Sequence, residues 1–307
     1  MSLPEEFLEL AQRVNNWGRW GPDDEIGTLN LITPDLVRSA ASLVKSGRRI
    51  SLAIPLSEEG PQTGAVPGRI NPERTMTQVN QPVGDPSQIR VSDDAVRMGL
   101  QAATHWDSLA HVSYDGRMYN GFPPESIDES GATRCGIDKV RTLVGRGVLL
   151  DVARARGVDR VEGAIPLTGD DLDAAAEFAR VTVGPGDIVL IRTGQMQLFK
   201  EGDRRGYVAP APGPAMKAAA WFRERDVAAV ATDNMTFEVF PGERKDCILP
   251  VHLLNLVEMG LTQGQNFDLE ELSEDCAADG AYEFLLEASP LPFVRGVGSP
   301  VNPVAIK

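Results

Sequence analysis

Residues 147–194 read GVLLDVARARGVDRVEGAIPLTGDDLDAAAEFARVTVGPGDIVLIRTG, and the pattern inside them predicts the fold class. Two short apolar runs, GVLLDVA (147–153) and GDIVLIRTG (186–194), predict buried strands because each is only a few residues long and rich in Val, Ile and Leu. Between them DDLDAAAEFARV (170–181) predicts a helix capped by Thr168. Strands that alternate with helices are typical of an α/β protein.

The same alternation continues on both sides of this stretch, and no repeat recurs at a fixed period. The further predicted segments are, in chain order, a helix over residues 4–14, a helix that begins at Thr33-Pro34 and stops at Gly47, the strand ISLAIPL (50–56), the helix PAMKAAAWFRERD (214–226), the strand VAAVATDN (227–234), a helix over residues 250–259 stopped by Gly260, and a helix with a capping box of Asp268 and Glu271.

Residues 57–95 interrupt this alternation because they are rich in Gly, Pro, Gln, Asn and Ser. Such a stretch predicts a long surface excursion that serves as a lid or an oligomer arm, since long loops in compact domains are usually functional. No change in composition marks a linker. We therefore expect a single domain over residues 1–307, with an N-terminal helical arm over about residues 1–48.

Composition excludes several classes of function. The 307 residues include 30 Lys and Arg against 44 Asp and Glu, and a net charge of −14 repels nucleic acids and anionic membranes. No apolar run is long enough for a membrane span, and the first residues do not resemble a secretory signal. Three scattered cysteines without a CxxC pair argue against disulfides and a cysteine zinc site. We expect a cytoplasmic protein.

The candidate chemistry lies in QAATHWDSLAH (101–111), which holds two of the three histidines of the chain. If residues 101–107 are extended, Gln101, His105 and Asp107 share one face with the small Ala103. An imidazole and a carboxylate at that spacing can converge on one cation, and the amide oxygen of Gln101 is a weaker third ligand. His111 reaches the same centre only if the chain bends, and there it suits proton transfer.

The third histidine, His252, is predicted in the first turn of a helix, where the positive end of the dipole disfavours its protonation. Gln265 follows thirteen residues later. Taken alone, His252 reads as a core or capping residue, and an H-x-D pair also occurs by chance. The residue pattern by itself predicts a polar site and leaves its chemistry open.

The segment THWDSLAH (104–111) resembles the signature H-x-G-T-H-x-D-x-P-x-H of the putative cyclase family of metal-dependent hydrolases. That family includes bacterial kynurenine formamidases and isatin hydrolases. The resemblance extends from about Trp17 to the C-terminus. The other segments that share this resemblance are WGPDDEIGTLNLI (20–32), VLLDVA (148–153), DIVLIRTG (187–194), TDN (232–234), GQNFDLEEL (264–272) and GVGSPVNPVAI (296–306).

The resemblance implies a mixed, barrel-like β-sheet wrapped by helices, of the swivelling β/β/α type. It implies that His105 and Asp107 bind metal and that His111 transfers protons. Gln101 stands where the family has its first histidine, and Gln265 where the formamidases have a late glutamate. These two glutamines are candidate ligands, but they put a paired metal site in doubt. A single divalent ion, Mn²⁺ or Zn²⁺, is the implied cofactor.

The resemblance also implies a hydrolase that acts on C–N bonds other than peptide bonds, in a small amide, imide or cyclic amide. His111 and His252 are the candidate catalytic residues, with His252 either a metal ligand or a donor to the oxyanion. Hydrolysis of a lactone or ester is the alternative, and so is a degenerate, non-catalytic member that binds a small molecule. We expect a homo-oligomer, a dimer or tetramer.

Two further predictions concern the substrate. Six aromatic residues are expected to line an aromatic or cyclic substrate's pocket or else to pack in the core: Trp17, Trp20, Trp106, Tyr114, Tyr119 and Phe122. Arg192, at the end of the strand over residues 186–194, either binds a substrate carboxylate or forms a structural salt bridge.

Overall fold

A mixed sheet of nine strands runs through the protein, and the computed structural model describes residues 3–307. The strands of the described chain are β1 Arg49–Ser51, β2 Glu73–Pro82, β3 Arg90–Arg97, β4 His105–Asp107, β5 Ile127–Asp128, β6 Gly131–Ala132, β7 Val144–Asp151, β8 Pro166–Leu167, β9 Ile188–Arg192, β10 Gly213–Pro214, β11 Ala229–Thr232, β12 Thr262–Gln265, β13 Glu283–Glu287, β14 Gly298–Pro300 and β15 Val304–Ile306.

Helices cover the sheet on both faces. They are α1 Glu5–Val14, α2 Pro34–Ala41, α3 Val152–Ala155, α4 Gly169–Ala179, α5 Met196–Lys200, α6 Arg204–Val208, α7 Ala218–Glu224, α8 Pro250–His252 and α9 Glu270–Asp279, and a π-helix, Leu253–Met259, directly continues α8. No helix within residues 3–307 is both long enough and apolar enough to cross a membrane.

The strand order of the large sheet is β1-β15-β13-β7-β9-β11-β12-β4-β14. The four middle strands, from β7 to β12, are parallel, while both edges are antiparallel. The sheet curls into a half-barrel, so the predicted α/β class with a barrel-like core wrapped by helices is confirmed. At one end β4 lies between β12 and β14, and this end carries the candidate site.

Apolar side chains fill both faces of β7, β9 and β11, which explains the apolar runs of these strands. In β7, Val148 and Leu150 point into a cluster formed with α1, α4 and α7, whereas Leu149 points into the opposite cluster, which includes α9. Strand β9 alternates in the same way, with Val189 on one side and Leu190 on the other. Burial on both faces fixes the register of these strands.

Three predicted boundaries are wrong, in each case because tertiary contacts interrupt a local pattern. Helix α2 ends at Ala41 rather than near Gly47, because the chain turns there and Gly47 donates to the carbonyl of Lys307 over 2.7 Å. Of the strand predicted over residues 50–56, only residues 50 and 51 pair with β15, and the strand begins one residue earlier, at Arg49. Helix α9 begins at Glu270, so Asp268 accepts its backbone N–H and no capping box with Glu271 forms.

The excursion predicted over residues 57–95 is on the surface, but it is not an uninterrupted loop. Strands β2 and β3 pair as an antiparallel ribbon whose residues are almost all exposed. Alternating Thr and Val residues in β2 favour extended backbone, a signal that the Gly and Pro content of the segment concealed. Exposed apolar side chains on the ribbon include Val79 and Val96, at 64% and 57% of full exposure.

Gly264 is expected to be intolerant of any side chain. A Cβ at this position of β12 would lie 2.7 Å from the ring of Phe267 and 2.8 Å from that of Trp106. We expect Gly264→Ala to lower the free energy of unfolding by ~1–3 kcal/mol through overpacking, as measured by urea denaturation. Gly184→Ala is the matched control, because a Cβ there meets no atom within 4 Å. Equal stability of the two variants would contradict this packing.

Candidate active site

Strand β4 places His105 and Asp107 on one face and Trp106 on the other. Trp106 is completely buried, contacts Phe267 at a ring-centroid distance of 5.1 Å and donates Nε1–H to the carbonyl of Ala288. These contacts fix the strand in rotation about its axis, so His105 and Asp107 must face away from the Trp106 core. The extended segment predicted over residues 101–107 is limited to residues 105–107, because residues 101–104 form turns.

Two glutamines of the neighbouring strand β12 hold Asp107. Gln263 and Gln265 are two residues apart and therefore share a face. The amide Nε2 of Gln265 donates to Asp107 Oδ2 over 2.7 Å, and that of Gln263 lies 3.5 Å from the same oxygen. Asn255, in the π-helix, donates in turn to Gln263 Oε1 over 3.2 Å. A carboxylate only accepts hydrogen bonds, so the amide groups facing it must be the NH₂ groups.

His105 has one ring nitrogen fixed and the other free. Its Nδ1 lies 2.7 Å from the carbonyl of Ala103, which can only accept, so Nδ1 carries the proton. The Nε2 lone pair then faces Asp107 Oδ1 at 3.4 Å. Both atoms are buried without a hydrogen-bond partner within the described chain. Two lone pairs at that distance favour a positive charge between them.

Gln101 reaches the same place from the turn before β4. Gly298 of β14 lies opposite Asp107 in the sheet register, and a Cβ on Gly298 would lie only 2.5 Å from Gln101 Nε2. The missing side chain of Gly298 therefore provides the space for the amide. Within residues 3–307, Gln101 Nε2 is also buried and unpaired, and half a turn about the last side-chain bond exchanges the nitrogen with the carbonyl oxygen.

The chain turns after Ser108 and brings His111 back to Asp107. This is the bend that the predicted proton-transfer role of His111 requires. Its backbone N–H donates to the carbonyl of Ser108 over 3.0 Å, and its Nε2 lies 3.7 Å from Asp107 Oδ1. The side chain keeps 20% of its exposure. Burial lowers the pKa of His111 and outweighs the opposing effect of Asp107, so the imidazole is neutral near pH 7 and can accept a proton.

His252 approaches Asp107 from the opposite side, with its Nε2 4.0 Å from Asp107 Oδ2. Its Nδ1 lies 2.6 Å from the buried carboxylate of Glu238, which also accepts the backbone N–H groups of Val251 and His252. Glu238 thus fixes both the start of the helix and the orientation of the ring. A carboxylate behind a histidine is a common way to orient a ligand or a catalytic imidazole.

The centre of the site is a buried negative charge. Burial raises the pKa of Asp107, but His111, His105 and His252 together lower it further, so that the pKa lies well below its ordinary value. Asp107 is therefore ionised at neutral pH. The structure brings together Gln101, His105 and His111 around this carboxylate. The two remaining predicted site residues, Gln265 and His252, complete the cluster.

Three residues in the cluster were not predicted. Gln263 lies two residues before Gln265, and the period of a strand would have placed them on one face. Glu238 and Asn255 carry no such signal, because only the packing of α8 and the π-helix brings them to the site. Their roles depend on tertiary structure and could not be inferred from spacing.

The predictions for the substrate pocket have mixed outcomes. Trp106 packs in the core and Tyr119 donates to Asp24, while Trp17 and Tyr114 line a separate surface cavity of about 620 Å³. Arg192 forms ion pairs with Asp151 and Glu270 over 2.9 and 2.8 Å, so it has the structural role. For Arg192 and Trp106 the structural alternative is correct.

The donors at the centre of the site fit a divalent ion. Within residues 3–307, no three His, Cys, Asp or Glu side chains are already arranged to hold an ion. The buried unpaired atoms at the centre instead belong to an amide, an imidazole and a carboxylate, those of Gln101, His105 and Asp107. This mixed set of nitrogen and oxygen donors suits a divalent metal ion. A second ion would lack an anionic ligand of its own, because Gln265 is neutral.

Replacing Gln265 by glutamate tests the hydrogen bond to Asp107. Two carboxylates in that contact cannot both ionise easily, so the pKa of one rises in the folded state. Such a group costs stability as the pH rises above its unfolded pKa. We expect Gln265→Glu, without added metal, to lose ~1–3 kcal/mol of unfolding free energy at pH 8 and less at pH 5. Gln12→Glu on exposed α1 is the control; an identical pH response would contradict the contact.

Comparisons with known proteins agree on one family. The family model described as “Putative cyclase” matches residues 50–239 of this chain. The solved structure of a protein described as a novel cyclase is 38% identical in sequence. That match covers 96% of this chain and 100% of the other, with a TM-score of 0.88.

More distant structures share the fold. Isatin hydrolase A from Ralstonia solanacearum is 20% identical over 89% of this chain and 97% of its own, with a TM-score of 0.63. A predicted metal-dependent hydrolase from Bacillus stearothermophilus is 17% identical over 84% of this chain and 97% of its own, with a TM-score of 0.54. No curated protein sequence is significantly similar to this chain.

Proposed function

The chain belongs to the putative cyclase family, and on that premise we propose that it is a metal-dependent hydrolase of a small amide, imide or cyclic amide. The observation that carries this proposal is the convergence of three histidines on the ionised, buried Asp107. The hydrolase and metal-dependent hydrolase names of the distant structures support the same class.

The proposed cofactor is one divalent ion, Mn²⁺ or Zn²⁺, held by Gln101, His105 and Asp107. Bound there, it would polarise the scissile carbonyl and make water a better nucleophile at neutral pH. Gln265, which was a candidate ligand, is proposed instead to hold Asp107 from behind through its 2.7 Å hydrogen bond. That bond occupies Oδ2 and leaves Oδ1 free to face His105 and His111.

His111 is the proposed proton carrier. Its neutral Nε2 takes a proton from the attacking water and returns it to the leaving nitrogen. Its partial exposure of 20% allows that transfer to occur at the open side of the site. Amide hydrolysis needs this second step especially, because an amine leaves poorly unless it is protonated.

His252 is proposed to stabilise the developing oxyanion. Glu238 contacts Nδ1 and turns Nε2 toward Asp107 and the centre of the site. An N–H at Nε2 would donate a hydrogen bond to an oxygen that becomes negative in the transition state. Glu238 is then a positioning residue, since it acts only through His252.

A screen for turnover tests the proposed function. The metal-loaded protein is assayed by liquid chromatography against aryl formamides, cyclic imides and lactones, with each amide matched to an ester of the same skeleton. We expect hydrolysis of at least one amide or imide and its loss on chelation. Turnover of lactones and esters, but of no amide or imide, would show that the substrate class is lactones or esters instead. No turnover of any member would favour the non-catalytic binding protein.

The assembly and location of the chain are also proposals. We propose a homo-oligomer, a dimer or tetramer, and a cytoplasmic location. The ribbon of β2 and β3 supports the assembly, because it exposes Val79 and Val96 along with its strand edges. Light scattering at micromolar concentration tests the assembly. A mass of about 33 kDa would contradict it, since the chain itself is 33.1 kDa.

A further inference from the structure

The side chain of Arg69 lies beside the turn that carries Gln101, and in the part of the chain that the structure describes its guanidinium has no contacting partner of its own. Arg69 precedes the ribbon and is half-buried. Its Cγ would lie 3.2 Å from a Cβ on Gly99, two residues before Gln101, and Gly99 N–H donates to the carbonyl of Ile70 over 3.0 Å. Within residues 3–307 the guanidinium makes no ion pair and no hydrogen bond.

Electrostatic interactions connect Arg69 with the reacting groups. Burial lowers the pKa of Arg69, and the negative charge of Asp107 partly offsets that effect. Burial also lowers the pKa of His111, and the positive charge of Arg69 adds to the decrease. The stem of Arg69 packs beside Gly99 at the turn that carries Gln101, and this position agrees with an interaction of the guanidinium with both Asp107 and His111.

Other arginines in the interior of this protein are paired. Arg146 binds Asp187 and Glu283, and Arg192 binds Asp151 and Glu270. With 44 acidic residues against 30 basic ones, the chain has ample carboxylates for such pairs. A half-buried guanidinium without one has lost water and gained no carboxylate in direct contact. Next to the reacting groups, this arrangement indicates a site for an anionic ligand.

We propose that Arg69 is a specificity-determining residue that binds a carboxylate carried by the substrate. The inference rests on the proposed function and narrows its substrate class to small amides, imides or lactones that already bear a carboxylate. The planar guanidinium suits this role because it can donate two parallel hydrogen bonds to one carboxylate. Hydrolysis also creates a carboxylate in the product. The test must therefore distinguish the carboxylate that the substrate already carries from the new carboxylate that hydrolysis creates.

Equilibrium binding of benzoate and phthalate to the metal-loaded protein, measured by calorimetry, makes that separation. Benzoate carries one carboxylate and mimics only the carboxylate that hydrolysis creates. Phthalate carries a second carboxylate, which can bind Arg69. We expect wild type to bind phthalate ~10–100-fold more tightly than benzoate. Arg69→Met should remove this preference and leave benzoate affinity within about threefold, and Arg69→Lys should retain part of it.

Arg74→Met is the control, because Arg74 is exposed on the ribbon near Asp94 and should leave the preference unchanged. No preference for phthalate in wild type would overturn the proposal. An equal loss for both probes in the folded Arg69→Lys variant would also overturn it, since Arg69 would then act on the new carboxylate. Binding does not require turnover, so a phthalate preference without hydrolysis of any substrate would reject only the hydrolase.

Discussion

Replacing Asp107 by asparagine is expected to lower kcat/KM by about 1,000-fold while the fold is retained. Asparagine has nearly the same shape but no charge, so His105, His111 and His252 lose the anion on which they converge. The amide can still occupy the space beside Gln265. Turnover of the substrate found in the screen is the measurement, with circular dichroism to verify the fold.

Asp187→Asn is the matched control for this substitution. Asp187 is also a buried carboxylate, but its partners are Arg146 and the backbone of Gly184. We expect that variant to lose stability and to keep its kcat. If Asp107→Asn retained more than about a tenth of the wild-type activity, the role given to Asp107 would be wrong.

Replacing His111 by alanine is expected to cost ~100–10,000-fold in kcat, the usual range for a general acid–base group. The loss should be larger for an amide than for its matched ester, because only the amine must be protonated to leave. Added imidazole should restore part of the activity, since the side chain is partly open to solvent. Turnover of both substrates with and without imidazole is the measurement.

The retained fold of His111→Ala must be verified by its thermal transition. His111 follows a turn and keeps part of its exposure, so we expect its loss to affect stability little. Unchanged turnover of the amide would exclude His111 as the proton carrier. An equal loss for amide and ester, without rescue by imidazole, would indicate a structural role instead.

The local sequence pattern was sufficient to predict the strands in the middle of the sheet and the helix between them. Strands β7 and β9 are buried on both faces, so their apolar runs stand out from the surrounding sequence, and α4 carries the capping box of Thr168 and Asp171. Patterns near the edges were less reliable. Strand β1 leaves its partner after Ser51, and nothing in ISLAIPL indicates where the pairing ends.

The candidate site was predictable only where its residues lie close together in the chain. Residues 101–111 place His105, Asp107 and His111 in one short segment, and the turn after Ser108 is all that the cluster needs. Glu238 and Arg69 come from distant segments with no local signal, and only the packed chain shows what they face. Gln265 lies in the cluster, but its contact with Asp107 depends on the register of β12 against β4.

The metal content of the purified protein tests the central claim most directly. Elemental mass spectrometry, on protein prepared without a histidine tag, should find about one manganese or zinc per wild-type chain and almost none in Asp107→Asn. That result is expected because the unpaired atoms of Gln101, His105 and Asp107 suit one ion and lack the ligands for a second. Two ions per chain, or none after reloading with metal, would contradict the account.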